Sequence, residues 1–324
     1  MKKLASLSIV LPCHNEELVI QDSYNKLKEL LERWQDSIIS EYEIVMVNNG
    51  STDDTLTKML ELYEKDKNIV ILDLRSNYGY QGSITAGLFH AAKDMVVTID
   101  TDLQDDPNKI KDMIEKYYEG YEMVLGVRGD RKKDSIFKRV TANIYYWMLS
   151  KLGVNSVHNH GDFRLLSKQL VEELKKFPER NRYLRGIILG LDAKYACVYY
   201  DRIARKAGRT KFTLKHLVNF ALDGITSLSV IPIRMISLFG FILFVLSIIG
   251  TMFILYVRLV QKIDVPGWAF LSFIVMLFGG LQSLFIGMIG EYIAKTYIET
   301  KERPIFLVRE KYSKENVLES TKCM

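Results

Sequence analysis

Two long uncharged segments near the end of the chain limit what it can fold into. Residues 235–257 and 268–290 each run for 23 positions without Asp, Glu, Lys or Arg. A helix of that length spans the roughly 30 Å hydrocarbon core of a bilayer, whereas a soluble core would have to bury it on every face. Pro266 and Gly267 lie in the short connection. The sequence therefore predicts a transmembrane helical hairpin over 235–290.

Basic residues concentrate on the outer sides of this hairpin. Residues 202–234 hold seven Lys and Arg and residues 291–311 hold five, against two in the 258–267 connection. By the positive-inside rule, both termini and the rest of the chain lie in the cytoplasm, in a multi-pass protein of the plasma membrane. The net charge of +5 therefore suits binding to anionic head groups or to a lipid phosphate. No nucleic-acid-binding motif is present, so no nucleic acid partner is predicted.

The first 127 residues alternate apolar runs with amphipathic stretches. This pattern predicts an α/β domain over 1–211, with a mostly parallel sheet and helices on both faces. Ligands of such sheets bind beyond the carboxyl ends of the strands. A polar cluster follows each of the first four predicted strands: PCHNEE, NNGSTDD, RSNYGYQG and DTDLQDD. We expect these four clusters to line one crevice.

Four aspartates follow the fourth apolar run within seven residues. Asp105 and Asp106, before Pro107, suit a solvated turn that begins a helix. Asp100 and Asp102 are two apart, so in an extended chain both project to one side. Paired carboxylates at a strand end suit a hard divalent cation that holds phosphate oxygens.

Two further stretches combine apolar and basic residues close to the hairpin. The segment 134–153 carries aromatic residues edged by Lys and Arg, and 212–234 is amphipathic and leads into the first apolar helix. Such a profile is typical of a helix lying in the membrane interface, although 134–153 equally suits a helix packed on the sheet. Residues 291–324 are predicted to form a cytoplasmic tail.

Several ordered motifs resemble those of one enzyme family. IVLPCHNEE, NNGSTDDT, IDTDLQDDP, GDFRLLS and RKAGRTKF, followed by the hairpin, are similar to glycosyltransferase family 2 proteins that make polyprenyl-phosphate sugars. These are relatives of dolichol-phosphate mannose synthase and the bacterial undecaprenyl-phosphate glucosyltransferases. The resemblance implies a GT-A fold and Mg²⁺ or Mn²⁺ as cofactor. It also implies inverting transfer of a hexose from a nucleotide sugar to undecaprenyl phosphate at the cytoplasmic membrane face.

The same resemblance assigns roles residue by residue. It gives the metal to Asp100, Asp102 and Gln104, and catalysis to Asp162 and Asp102, with Asp162 either a base or an orienting group. Nucleotide-sugar binding is assigned to Pro12, Asn15, Glu16, Asn49, Asp100 and Gln104, and phosphate binding to Arg205, Lys211, Arg128 and Arg131.

Some alternatives stay open from the sequence. The donor is expected to be UDP-glucose or UDP-N-acetylglucosamine, but Asn48 and Asn49 stand where family members commonly have aspartates, which leaves the base contact undecided. A diacylglycerol-type acceptor is an alternative substrate. A catalytically idle membrane scaffold or sugar-nucleotide sensor is an alternative of another class, and a homo-oligomer is compatible with the sequence.

Overall fold

The computed structural model describes residues 4–129, 157–180, 182–201, 231–260 and 267–314. The strands are β1 (Leu7–Cys13), β2 (Tyr42–Asn48), β3 (Ile69–Leu74), β4 (Met95–Thr98), β5 (Met123–Arg128), β6 (His160–Ser167), β7 (Tyr195–Tyr200) and β8 (Val308–Tyr312). The helices are α1 (Ile20–Trp34), α2 (Thr55–Lys65), α3 (Gly79–His90), α4 (Lys109–Tyr118), α5 (Lys168–Lys175), α6 (Leu184–Gly190), α7 (Ile231–Leu259) and α8 (Trp268–Thr300).

All eight strands form one sheet in the order β7-β5-β6-β4-β1-β2-β3-β8. Strands β1 to β4 pair in parallel, whereas β6 runs antiparallel to both β4 and β5. The predicted α/β class with a mostly parallel sheet is confirmed. Because the four parallel strands end on one side, the loops that follow them meet at one edge of the sheet.

Alternating residues of the central strands enter two separate cores. Ile9 and Leu11 of β1 belong to the core on one face of the sheet, and Val10 belongs to the core on the other. Helix α3 covers the second face closely at Gly87, where an added Cβ would lie 2.2 Å from Val10 Cγ1. A sheet buried on both faces explains why β1 and β2 are apolar almost throughout.

Helices α7 and α8 are long and apolar enough to cross a membrane. The first helix extends beyond the predicted 235–257 at both ends. The second begins where predicted, at residue 268, and extends past residue 290 at its C-terminal end. Apolar side chains such as Phe241 and Met252 are more than 60% exposed, which a helix in a soluble core would not allow. Phe239 of α7 and Phe285 of α8 lie edge to face with ring centroids 6.0 Å apart. The two rings are at similar distances along the chain from the connection between the helices, as in two helices that run in opposite directions. The helices therefore pack antiparallel, as a hairpin does.

The predicted cytoplasmic tail over 291–324 contains regular structure in the part that the structure describes. Residues 291–300 continue α8, and β8 pairs antiparallel with β3, so residues beyond 211 complete the sheet. Arg309 Nη1 lies 3.3 Å from the buried Asp73 carboxylate on β3. Near the end of α8, the Glu299 carboxylate accepts from Arg180 N at 2.9 Å. These contacts attach the second apolar helix directly to the sheet.

The predicted interfacial segment 134–153, nearly all of the 212–234 segment, and Arg131, Arg205 and Lys211 lie outside the described residues.

Candidate active site

The loops after the four parallel strands are joined to one another by hydrogen bonds. Asn15, after β1, accepts from Thr52 N at 2.8 Å with its side-chain oxygen. Tyr80, after β3, donates its hydroxyl to Asp100 Oδ1 at 2.5 Å. Thr101, after β4, donates to Pro12 O at 2.9 Å, near the end of β1 where the first loop begins. The four polar clusters therefore lie together at one edge of the sheet, as the sequence predicted.

Asn49 ties the loop after β2 to the loop after β3. Its Nδ2 donates to Asn77 Oδ1 and to Gly79 O, both at 3.1 Å, and its Oδ1 accepts from Tyr78 N at 2.9 Å. Gly50 follows with φ +62°, and a Cβ there would lie 2.6 Å from Asn77 N. The asparagine that was assigned to nucleotide-sugar binding thus holds these two loops together. An aspartate could not donate to Gly79 O, which gives the asparagine at this position a physical reason.

The acidic pair lies in a turn, and the assumption of an extended chain was wrong. Strand β4 ends at Thr98, and Leu103 N donates to Asp100 O at 3.0 Å across the turn. Leu103 has φ +44° and is buried in the core, which anchors this turn. Asp102 Oδ1 accepts from Gln104 N at 3.2 Å. Gln104 is buried, while Asp100 and Asp102 are half-buried at the crevice.

Negative charge accumulates around Asp100. Removal from bulk water, helped by the charges of Asp105, Asp162 and Asp102 and opposed by the Tyr80 hydrogen bond, raises the pKa of its carboxyl to about 6. Like charges at this density repel unless a cation lies among them. The described residues contain no group of three or more His, Cys, Asp or Glu side chains that converges on one point. The available carboxylate oxygens are nonetheless of the kind that Mg²⁺ or Mn²⁺ prefers.

Asp162, on the antiparallel strand β6, is held by two arginines. Arg185 Nη2 of α6 donates to Oδ2 at 2.6 Å and its Nε lies 3.2 Å from the same oxygen, while Arg164 Nη2 donates to Oδ1. Burial alone would raise the pKa of Asp162, but the two guanidinium groups outweigh burial and lower it. The backbone oxygen of Asp162 accepts from Thr98 Oγ1 at 2.5 Å, which fixes β6 against the end of β4.

Arg128, at the end of β5, lies next to Gly161 of β6. Its Nη2 is 3.7 Å from Asp105 Oδ1 and 3.4 Å from the point where a Cβ on Gly161 would stand. The guanidinium thus lies at van der Waals distance from the backbone of β6 at Gly161. His160, the residue before Gly161, is 4% exposed and part of β6, so its ring is buried next to the site.

The structure brings most of the predicted site residues to this edge of the sheet. Asn49, Asp100, Asp102, Gln104 and Asp162 lie there, with the half-buried Pro12 and Glu16 and the exposed Asn15 on the first loop. Tyr80 and Arg185 were not predicted. No sequence signal marked Arg185, because it is 23 positions from the carboxylate that it contacts. The roles assigned to individual residues stay predictions.

Comparison with known proteins places the chain in a family. Residues 8–175 match the family model "Glycosyl transferase family 2". The chain is 43% identical over 307 residues to the uncharacterized glycosyltransferase YkoT of Bacillus subtilis (strain 168), covering 93% of this chain and 90% of that protein. It is 37% identical over 304 residues to a prophage bactoprenol glucosyl transferase homolog of Escherichia coli (strain K12), covering 94% and 98%.

Among solved structures, the sheet domain is similar to glucosyl-3-phosphoglycerate synthase from Mycobacterium tuberculosis in complex with uridine diphosphate. The sequence identity is 22% and the TM-score is 0.47, with 69% of this chain and 79% of that chain covered. The family match over more than half of the chain and the nearly full-length relatives lead to one conclusion: the protein is a member of glycosyl transferase family 2.

Proposed function

We propose that this protein transfers glucose, with inversion, from a nucleotide sugar to a polyprenyl phosphate at the cytoplasmic face of the membrane. The observation that carries the proposal is that, at one edge of the sheet, an acidic turn lies beside a carboxylate held by two arginines. A diphosphate leaving group and a phosphate acceptor both need such a combination of metal ligands and fixed cations. Full-length relatives named bactoprenol glucosyl transferases support glucose and a polyprenyl acceptor over the other expected donors.

A divalent cation, Mg²⁺ or Mn²⁺, is part of the proposal. Asp100 and Asp102 would hold it, with Gln104 closing the turn next to them. When bound, the ion supplies positive charge to the departing diphosphate. The chain's own contribution is to fix the turn through Leu103 and to orient Asp100 through the Tyr80 hydroxyl. A prearranged site of this kind stabilises the transition state more than the ground state.

The state of Asp162 favours an anionic acceptor over an alcohol. A diacylglycerol hydroxyl would have to lose a proton to a base, yet both oxygens of Asp162 accept from arginines and its pKa is lowered. A carboxylate with those properties takes up a proton poorly. A polyprenyl phosphate is already an anion at neutral pH and needs no such base. Arg128, together with Arg131, Arg205 and Lys211, is proposed to bind phosphate groups.

The membrane arrangement follows from the hairpin and its flanks. Helices α7 and α8 would cross the bilayer as a pair, with the sheet domain and both termini in the cytoplasm. This topology brings the crevice within reach of a lipid phosphate at head-group depth. The attachment of α8 to β3 through β8 supports a fixed distance between the bilayer and the crevice.

A donor panel tests the proposed function. Purified protein in detergent or liposomes is incubated with undecaprenyl phosphate, Mg²⁺ or Mn²⁺, and labelled UDP-glucose, UDP-N-acetylglucosamine or GDP-mannose. We expect label in the lipid fraction from UDP-glucose above the other donors. Absence of transfer from every donor, with either metal supplied, contradicts the proposal and favours the idle scaffold or sensor.

The metal site is tested by Asp102→Ala. Outer-shell partners of a bound metal typically contribute 10–100-fold, so loss of a direct ligand should reduce turnover by at least about 100-fold. The fold should be kept, because Asp102 is half-buried in a surface turn. Asp106→Ala is the matched control, since Asp106 accepts from Asn108 N at the start of α4 and lies outside the proposed ligand set. Near-normal turnover of Asp102→Ala at limiting metal would refute the assignment.

A further inference from the structure

Two positive groups share one carboxylate beside the acidic turn. Arg164 and Arg185 both donate to Asp162, so the cluster of three side chains has a net charge of +1. Neutralising a buried aspartate requires only one arginine. The second guanidinium therefore makes the cluster positive. The cluster lies near the acidic turn, because Thr98, which precedes that turn, donates a hydrogen bond to the backbone oxygen of Asp162.

The cluster also contains an unsatisfied donor. Arg164 is fully buried, and its Nη1 has no hydrogen-bond partner among the residues that the structure describes. An unpaired N–H on a buried cation is costly unless a ligand or water accepts from it. Arg185 is accessible, with 26% of its side chain exposed. One arginine is thus fixed inside the protein and the other lies at the wall of the crevice.

The two oxygens of Asp162 are used to orient these arginines. Arg185 reaches Oδ2 through both Nε and Nη2, the two-point geometry that fixes the plane of a guanidinium group. A guanidinium has N–H donors and no acceptor, so the groups that such a cluster can recognise are acceptors, above all anions. Fixed guanidinium planes match the oxygens of phosphate especially well.

We infer that Arg185 is a phosphate-binding residue of the transfer site and that Asp162 is the positioning residue that holds its guanidinium group, with Arg164 as the buried support. The inference rests on the proposed function and adds to it a named cation that none of the predicted motifs contains. The phosphate is either the diphosphate of the donor or the phosphate of the lipid acceptor. Both have the same chemistry, and the experiment separates them.

The test compares Arg185→Gln with the wild type in two binding measurements. Calorimetry with UDP and Mg²⁺ gives the Kd on the donor side, and initial rates at varied undecaprenyl phosphate give the KM on the acceptor side. We expect one of the two constants to rise by about 10- to 100-fold, the usual effect of losing a charge-assisted hydrogen bond. Arg185→Lys, which keeps the charge without the two-point geometry, should recover part of the loss. Arg33→Gln on α1, an exposed arginine paired with Glu29, is the matched control and should change neither.

The outcomes are distinct. A rise in the UDP Kd alone assigns Arg185 to the donor diphosphate, and a rise in the lipid KM alone assigns it to the acceptor. Unchanged Kd and KM, including the case in which only kcat falls, overturn the inference. If the wild type transfers no glucose at all, the proposed function fails, and the calorimetric comparison still decides whether Arg185 binds a nucleotide phosphate.

The role of Asp162 is tested by a double-mutant cycle. If Asp162 acts through Arg185, then Asp162→Asn should raise the same constant as Arg185→Gln, and the double variant should be little worse than Asp162→Asn alone. Additive effects, with Asp162→Asn lowering only kcat, would instead identify a base. Because Asp162→Asn leaves Arg164 buried without its counter-ion, thermal unfolding is checked for each variant. Asp162→Glu keeps the charge and repeats the test with the carboxylate displaced.

Discussion

His160 should make the stability of this protein depend on pH above the range where carboxylates titrate. The ring is 4% exposed on β6, and its Nε2 has no hydrogen-bond partner among the described residues. Burial first, and then the positive charges of Arg164, Arg185 and Arg128, lower the pKa of His160 to about 2, against a partial opposing effect of Asp162. The folded protein therefore keeps this histidine neutral at every pH at which enzymes are normally assayed.

The sign and size of the effect follow from linkage. In the unfolded chain the pKa of His160 is about 6.5, so below that pH the unfolded state binds a proton that the folded state does not. Each further pH unit costs about 1.36 kcal/mol, so the free energy of unfolding should fall by about 2 kcal/mol between pH 8 and pH 5 through this residue alone. The result does not depend on the exact folded pKa, because the buried ring is neutral at pH 5 whether its pKa is about 2 or a unit higher.

The assay is thermal unfolding of the detergent-solubilised protein at pH 8, 6.5 and 5, comparing the wild type with His160→Gln. For a sheet domain of this size, about 2 kcal/mol corresponds to a difference of about 4–8 °C in Tm. We expect the wild type to lose that much more than the variant between pH 8 and pH 5. Other titrating groups are common to both proteins and cancel in the comparison. Equal losses in the two proteins would refute the reasoning and imply that His160 titrates normally.

Two further substitutions test features of the fold that build the site. Gly50→Ala should lower the Tm by more than Gly120→Ala. Both glycines have positive φ (+62° and +92°), but only at Gly50 would the new Cβ meet backbone, 2.6 Å from Asn77 N. UDP affinity should fall only for Gly50→Ala. Phe306→Ala removes a ring whose centroid is 6.2 Å from that of Phe89 on α3. The loss should lower the free energy of unfolding by about 1–3 kcal/mol and increase proteolysis after α8. Unchanged resistance to proteolysis would show that β8 stays in place without this ring.

Much of the sheet domain could be predicted because its signals are local. Apolar runs followed by polar clusters identify β1 to β4 and the edge where their loops meet, since strand period and turn chemistry act over a few residues. The position of Asp162 near the acidic turn came from family resemblance. The structure supplies a physical reason for its placement, which is the pairing of Thr98 with Arg164 across β4 and β6.

The remaining features depend on contacts between distant parts of the chain. Arg185 reaches Asp162 only because the fold brings the start of α6 close to β6, and no spacing rule connects the two residues. Strand β8 was missed because Val308–Tyr312 is short, charged and mostly exposed, as edge strands commonly are. The turn at Asp100 was missed because β4 ends two residues before it. The ends of strands are the feature that sequence patterns predict least accurately.

The position of β8 in the chain determines when the sheet can be completed. β3 precedes the hairpin by more than 150 residues, and its partner β8 follows it. During synthesis, β3 must therefore wait with an open edge of unpaired N–H and C=O groups until both apolar helices have left the ribosome. An open edge of this kind recruits other strands, so a shortened chain that stops before α7 should be prone to aggregation even though its catalytic loops are intact. A soluble version is better obtained by joining residues 301–314 directly to the sheet domain through a flexible linker.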